Sequence, residues 1–191
     1  MHNDKNGLRT RLLAERRALS DGERAAAALA LAGHAGELAG PGATVAAYVS
    51  VGAEPGTRPL LDALRSRGVR VLLPVLLPDN DLDWAEYGGP GELAPAGRGL
   101  LEPVGPRLGP AAVTEASVVL LPGLAVDRRG LRLGRGGGSY DRVLARLERS
   151  GAHPVLAVLL YGHELLERVP AEPHDRPVDL AVTPSGVHRL D

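Results

Sequence analysis

The sequence predicts an α/β protein: a three-layer α/β/α arrangement on a mostly parallel, open sheet with helices on both faces. Three observations predict it. The first forty residues carry helical periodicity, and short apolar runs then follow at 44–51, 69–77, 117–126, 155–161 and 180–183. Those runs are nearly continuously apolar rather than alternating, as strands covered on both faces are. Helical patterns return between them, and strand–helix alternation supplies the crossovers that a parallel sheet requires.

The elements follow in order. Leu8, Leu12, Leu13 and Leu19 fall near helical spacing, and Ser20 with Glu23 forms a capping box ahead of the Ala/Leu-rich run 24–38. Gly40-Pro41-Gly42 closes that region. After the strand at 44–51, a helix over 57–67 gathers Leu60, Leu61 and Leu64 on one face. Pro74 and Pro78 punctuate the strand at 69–77, so its far end lies at an edge or leaves the sheet. The stretch 88–110 is dense in Gly and Pro and reads as a long ordered loop, a length more often functional than incidental. A helix over 140–149 with Val143, Leu144 and Leu147 separates the strands at 117–126 and 155–161.

With 191 residues, 44% of them hydrophobic, and a net charge of -1, the chain suffices for one sizeable core, and a single domain over 1–191 is expected. No run of eighteen apolar residues occurs, and the charged start lacks an apolar signal segment, so a cytoplasmic protein without a membrane partner is expected. The absence of cysteine excludes disulfides, thiolate zinc sites and cysteine nucleophiles, leaving oxygen or imidazole for any metal. Lys5 is the only lysine, phenylalanine is absent, and the core must be built from Leu, Val and Ala. Between 128 and 149, seven arginines stand against Asp141 and Glu148, a local charge of +5. Near-neutral total charge and few rings argue against a nucleic-acid surface, so this patch calls for a smaller anion.

Arg132-Leu133-Gly134-Arg135-Gly136-Gly137-Gly138-Ser139-Tyr140 links a strand to a helix start. Glycines let the backbone approach an anion, the helix N-terminus favours negative charge, and Arg132 and Arg135 bring forked donors suited to phosphate oxygens. The segment is neither a P-loop, since it lacks Gly-Lys-Ser/Thr, nor a dinucleotide fingerprint starting at Gly134, since Ser139 stands where a Gly or Ala should close it.

Together with 121–127 ahead of it and Asp141-Arg142 after it, this composite motif resembles the signature of the 5-formyltetrahydrofolate cyclo-ligase family. Lys5 and Arg9 resemble the family's N-terminal Lys-x-x-x-Arg; Tyr48-Val49-Ser50 with Glu54 and Thr57 resembles its folate-holding segment; 174–179 with Thr183-Pro184 resembles its closing motif. The resemblance implies an enzyme that uses ATP and Mg²⁺ to convert 5-formyltetrahydrofolate, or its polyglutamylated forms, to 5,10-methenyltetrahydrofolate, acting as a monomer. It implies ATP binding by Lys5, Arg9, Arg132, Gly134, Arg135, Gly136, Gly137, Gly138 and Tyr140, and folate binding by Val49, Glu54, Arg135, Ser139 and Tyr140. Asp141 and Asp179 would hold the metal, with Asp175 the alternative to Asp179. Many members carry a second tyrosine where this chain has Ser139, which removes part of the ring contact. The implied reaction starts with the formyl oxygen attacking the γ-phosphoryl group and ends with closure by N10.

Overall fold

A computed structural model describes residues 2–191, with side chains from Asp4 onward. Three helices come first, α1 (His2–Ala18), α2 (Asp21–Ala32) and α3 (Ala35–Leu38). The capping box forms as the sequence predicts: Ser20 accepts the N–H of Glu23, and the Glu23 carboxylate accepts the N–H of Ser20 at 2.7 Å. The chain continues as β1 (Thr44–Ala46), α4 (Arg58–Ser66), β2 (Arg70–Leu76), β3 (Leu82–Glu86), β4 (Leu93–Pro95), β5 (Leu101–Pro103) and β6 (Val118–Leu121). It closes with β7 (Ala125–Asp127), β8 (Arg132–Leu133), α5 (Ser139–Ser150), β9 (Val155–Leu159), β10 (Leu165–Leu166), β11 (Leu180–Thr183) and β12 (Gly186–Arg189).

The central sheet runs β12-β11-β9-β6-β1-β2-β3; the five inner strands are parallel, and β12 and β3 pair antiparallel at the edges. Alternate side chains of each inner strand serve opposite faces. Val118 and Leu120 of β6, with Val71 and Leu73 of β2, pack under Leu31 of α2 and Leu60, Leu61 and Leu64 of α4. Val119 and Leu121, with Leu72 of β2 and Val158 of β9, pack instead against Val143, Leu144 and Leu147 of α5 and against Trp84. Helices therefore cover both faces, giving the expected three layers. Among the described residues, no helix is long and apolar enough to cross a membrane.

Three local readings need correction, and two edge strands have no counterpart among the predicted strands. The apolar run 117–126 is two strands in different sheets, because the Pro122-Gly123 turn breaks it after β6 and sends β7 into a separate sheet ordered β10-β7-β8. Strand β1 stops at Ala46, well short of 51, because the chain leaves the sheet to build the link to α4. The 88–110 stretch, expected as one long ordered loop, carries two short strands, since β4 and β5 pair as a two-stranded ribbon. Strands β3, which carries Asp83 and Glu86, and β12 form the two edges of the sheet, where charged residues are tolerated. Pro74 behaves as expected, since β1 pairs with β2 only as far as Leu72 and the remainder of β2 runs out toward a cavity.

Candidate active site

A cavity of about 680 Å³ opens at the carboxyl ends of the parallel strands. Residues that follow β1 (Tyr48, Val49) and β6 (Pro122) line it, and between these neighbouring strands the chain order reverses. Open α/β sheets characteristically bind ligands at such a switch point.

The β1–α4 link builds one wall. Thr57, fully buried, donates its hydroxyl to the carbonyl of Tyr48 at 2.8 Å and accepts the N–H of Ser50 at 2.9 Å, while Ser50 Oγ accepts the N–H of Thr57. This reciprocal knot presents Tyr48 and Val49 to the cavity. Glu54 folds back so that Oε2 accepts the N–H of Val51 at 2.8 Å, leaving Oε1 3.8 Å from Arg135 Nη1. Burial holds the Glu54 carboxyl above its usual range, against the opposing pull of the Val51 N–H, Arg135 and Arg16. Tyr48 meets Tyr140 edge to face at 6.5 Å, and burial, reinforced by nearby Glu54, pushes both phenols upward.

The glycine loop forms the opposite wall. Asp127, fully buried, accepts the N–H groups of Arg129, Leu131 and Val169, which shapes the turn into β8 and aims the loop at the cavity. Gly136 (φ 94°) and Gly138 (φ 81°) take left-handed backbone that side chains resist. Gly138 caps α5 without a side chain, so the first-turn N–H groups are left for an anion. Arg132 lies against this loop, its Nη1 donating to the Pro122 carbonyl at 3.0 Å and its Nη2 3.5 Å from Asp141 Oδ1. Burial lowers the Arg132 guanidinium from its ordinary value, with Asp141 opposing.

Helix α1 closes the rim. Arg9 Nε donates to the carbonyl of Gly134 at 2.9 Å. Lys5 Nζ donates to Asp175 Oδ2 at 2.8 Å and to Glu172 Oε2 at 3.2 Å. Burial opposes the charge on both Lys5 and Asp175, but their pairing outweighs it, so Lys5 is raised and Asp175 lowered. Ligand atoms of Glu172, His174 and Asp175 lie within 4.8 Å of one another, a donor set able to hold a cation.

Every candidate except one lines this cavity: Lys5, Arg9, Val49, Glu54 and the whole stretch 132–141. The exception is Asp179. Its carboxylate accepts the N–H of Leu156 at 2.8 Å, at the amino-terminal ends of β9 and β11 and so at the opposite end of the strands from the cavity. Between the two acids the chain descends from the rim, pinned where Leu131 bridges Pro177 and where Val178 N–H meets the Gly130 carbonyl at 2.8 Å. Asp175 stays on the cavity side.

A sequence model of the 5-formyltetrahydrofolate cyclo-ligase family matches residues 1–184. The chain belongs to the 5-formyltetrahydrofolate cyclo-ligase family. A relative so named from Mycolicibacterium smegmatis is 45% identical over 185 residues, covering 94% of this chain and 93% of that one. The protein of that name from Escherichia coli is 36% identical over 148 residues, 75% of this chain and 79% of its own. The solved structure of Aquifex aeolicus 5,10-methenyltetrahydrofolate synthetase superposes with a TM-score of 0.76 at 30% identity, over 97% of this chain and 92% of that chain.

Against this family background, some cavity residues carried no sequence signal. Arg98, Leu100, Leu101 and Glu102 come from the β4–β5 ribbon, inside the stretch where Gly and Pro hide any periodicity. Glu172 joins the Lys5 cluster from a Pro-rich turn. Tyr48 is different: it belongs with Val49 to the folate-like segment, where the resemblance gives it no role, and it lines the cavity.

Proposed function

We propose that this chain closes 5-formyltetrahydrofolate to 5,10-methenyltetrahydrofolate, converting ATP to ADP and phosphate with Mg²⁺ present. The observation that carries the reading is the shared cavity: a glycine loop at a helix N-terminus, flanked by arginines, shares one space of about 680 Å³ with a largely buried carboxylate and two tyrosines. A triphosphate on the first wall would have its terminal group next to a pterin on the second.

In the reaction, the formyl oxygen on N5 attacks the γ-phosphorus and the bond to the β-bridging oxygen breaks, releasing ADP. N10 then attacks the activated carbon and loses its proton, and the C–O bond breaks as phosphate departs with the former formyl oxygen. The first step spreads charge over phosphoryl oxygens and needs oriented donors more than a strong base. Arg132, Arg135, Arg9 and the loop N–H groups provide those donors, and Lys5 reaches the same rim. Glu54 Oε1, facing the cavity beside Arg135, would accept from the adjacent amino and ring N–H groups of a pterin. Tyr48, Val49 and Tyr140 would flank its ring. Ring closure is intramolecular, so holding N10 near the activated carbon lowers its barrier by positioning.

Asp175 with Glu172 and His174 gives one donor set, which Lys5 pairs with here, and Asp141 is a further hard oxygen donor lining the same cavity; either suits Mg²⁺, which keeps several waters of its own. When bound, Mg²⁺ would neutralise charge on the transferring phosphoryl oxygens. The test is the absorbance of methenyltetrahydrofolate formed by purified protein from 5-formyltetrahydrofolate. Product is expected only with both ATP and Mg²⁺; equal turnover without nucleotide would refute the reading.

A further inference from the structure

Beneath the cavity lies a buried ion pair that the proposed reaction does not use directly. Arg16 and Glu164, 148 residues apart in sequence, are 2% and 0% exposed. Their contact is bidentate, Nε to Oε1 at 2.9 Å and Nη2 to Oε2 at 2.7 Å. Arg16 Nη2 also donates to the carbonyl of Gly123 at 2.6 Å, and the guanidinium sits 5.8 Å from the centre of the Tyr161 ring. A fully buried pair is weak evidence for stability, because desolvation offsets most of the attraction. Its placement suggests a different use.

Gly123 lies in the turn on which Arg132 rests. A Cβ at Gly123 would come within 3.2 Å of Arg132 Cγ and 2.9 Å of Val158 Cγ1, so the arginine stem is packed directly on this backbone. The head of Arg132 is tied to the same turn through the Pro122 carbonyl. Arg16 thus holds from below the dipeptide that Arg132 grips from above. Helix geometry adds a second link: Lys5 and Arg16 are eleven residues, close to three turns, apart on α1 and share a face with Leu12, which is wholly buried among Leu124, Ala125 and Leu133.

We infer that Arg16 and Glu164 are positioning residues that fix the Pro122-Gly123 turn and thereby aim Arg132 at the nucleotide phosphates. The inference rests on the proposed ATP-binding role of the cavity. Removing both charges together, in Arg16→Met/Glu164→Leu, avoids stranding one of them, and Arg16→Lys keeps the charge while losing the fork.

The test measures ATP·Mg²⁺ affinity by calorimetry for wild type, the paired variant, Arg16→Lys, Arg132→Ala, and the paired variant combined with Arg132→Ala. The paired variant is expected to lose about tenfold or more in nucleotide affinity, as fits one misdirected charge-assisted contact, with a distinctly smaller loss for 5-formyltetrahydrofolate, since Arg16 also acts on Glu54. Combined with Arg132→Ala it should lose no more than Arg132→Ala alone, because both changes remove one interaction. Wild-type nucleotide affinity in the paired variant, or losses that multiply in the combination, would overturn the inference. Failure of both the paired variant and Arg16→Lys to fold would also overturn it, by making the pair a folding element. Wild type that binds no nucleotide would instead sink the ATP reading itself.

Discussion

Glu54 Oε1 and Arg135 Nη1 face each other at 3.8 Å, so the acid of one wall and the arginine of the other approach without joining in a hydrogen bond. The carboxylate keeps acceptor capacity toward the cavity, while its second oxygen is already occupied by the Val51 N–H. Arg135 is about half exposed and can swing to a phosphate without breaking a tight contact.

Glu54→Gln tests the pterin assignment. The amide oxygen can still accept from Val51 N–H, so the loop is preserved, but the charged acceptor is gone. Affinity for 5-formyltetrahydrofolate should fall by about ten- to a hundredfold, the worth of a charge-assisted contact, with ATP affinity changed less than about twofold. Calorimetry with each ligand separately checks it.

The three acids weighed as metal ligands should separate cleanly. Asp141→Ala and Asp175→Asn are expected to slow ATP-dependent cyclisation by about a hundredfold or more and to raise the Mg²⁺ concentration required. Asp175→Asn retains an oxygen for Lys5, so its fold should survive. Asp179→Ala removes an acceptor from Leu156 at the far end of the strands and should leave turnover within about twofold, at a stability cost of about 1 kcal/mol. Initial rates across a Mg²⁺ titration, with thermal midpoints alongside, distinguish the cases.

How far the sequence reached follows from where its signals are local. The capping box and the leucine stripe of α4 depend on residues three and four apart, and both form as read. The glycine loop and its helix were legible for the same reason. Asp175 and Asp179 were not separable, since four residues of chain do not reveal which end of a sheet each reaches. The split of 117–126 was signalled by Pro122-Gly123, but continuous apolarity masked it, because β6 and β7 are both buried. Strand β3 was hidden by its charges, and the Arg16–Glu164 pair lies beyond any local pattern.

The pair Asp81–Arg146 gives a control outside the cavity chemistry. Two hydrogen bonds, 2.9 and 2.6 Å, tie the β2–β3 turn to α5. The Arg146 contact lowers the Asp81 carboxyl below its ordinary 3.8, burial opposing. A depressed acid contributes stability that is present above its unfolded value and is lost as pH falls through its folded one. Asp81→Asn should therefore cost about 2 kcal/mol at neutral pH, with the gap to wild type shrinking as the pH drops below 3.8. Urea unfolding of both proteins across that range measures it.

The most direct test follows the formyl oxygen. With 5-formyltetrahydrofolate labelled with ¹⁸O in the formyl group, ATP and Mg²⁺, mass spectrometry of the released phosphate should find one label per methenyltetrahydrofolate formed. Unlabelled phosphate accompanying the product would contradict phosphorylation of the formyl oxygen in this cavity.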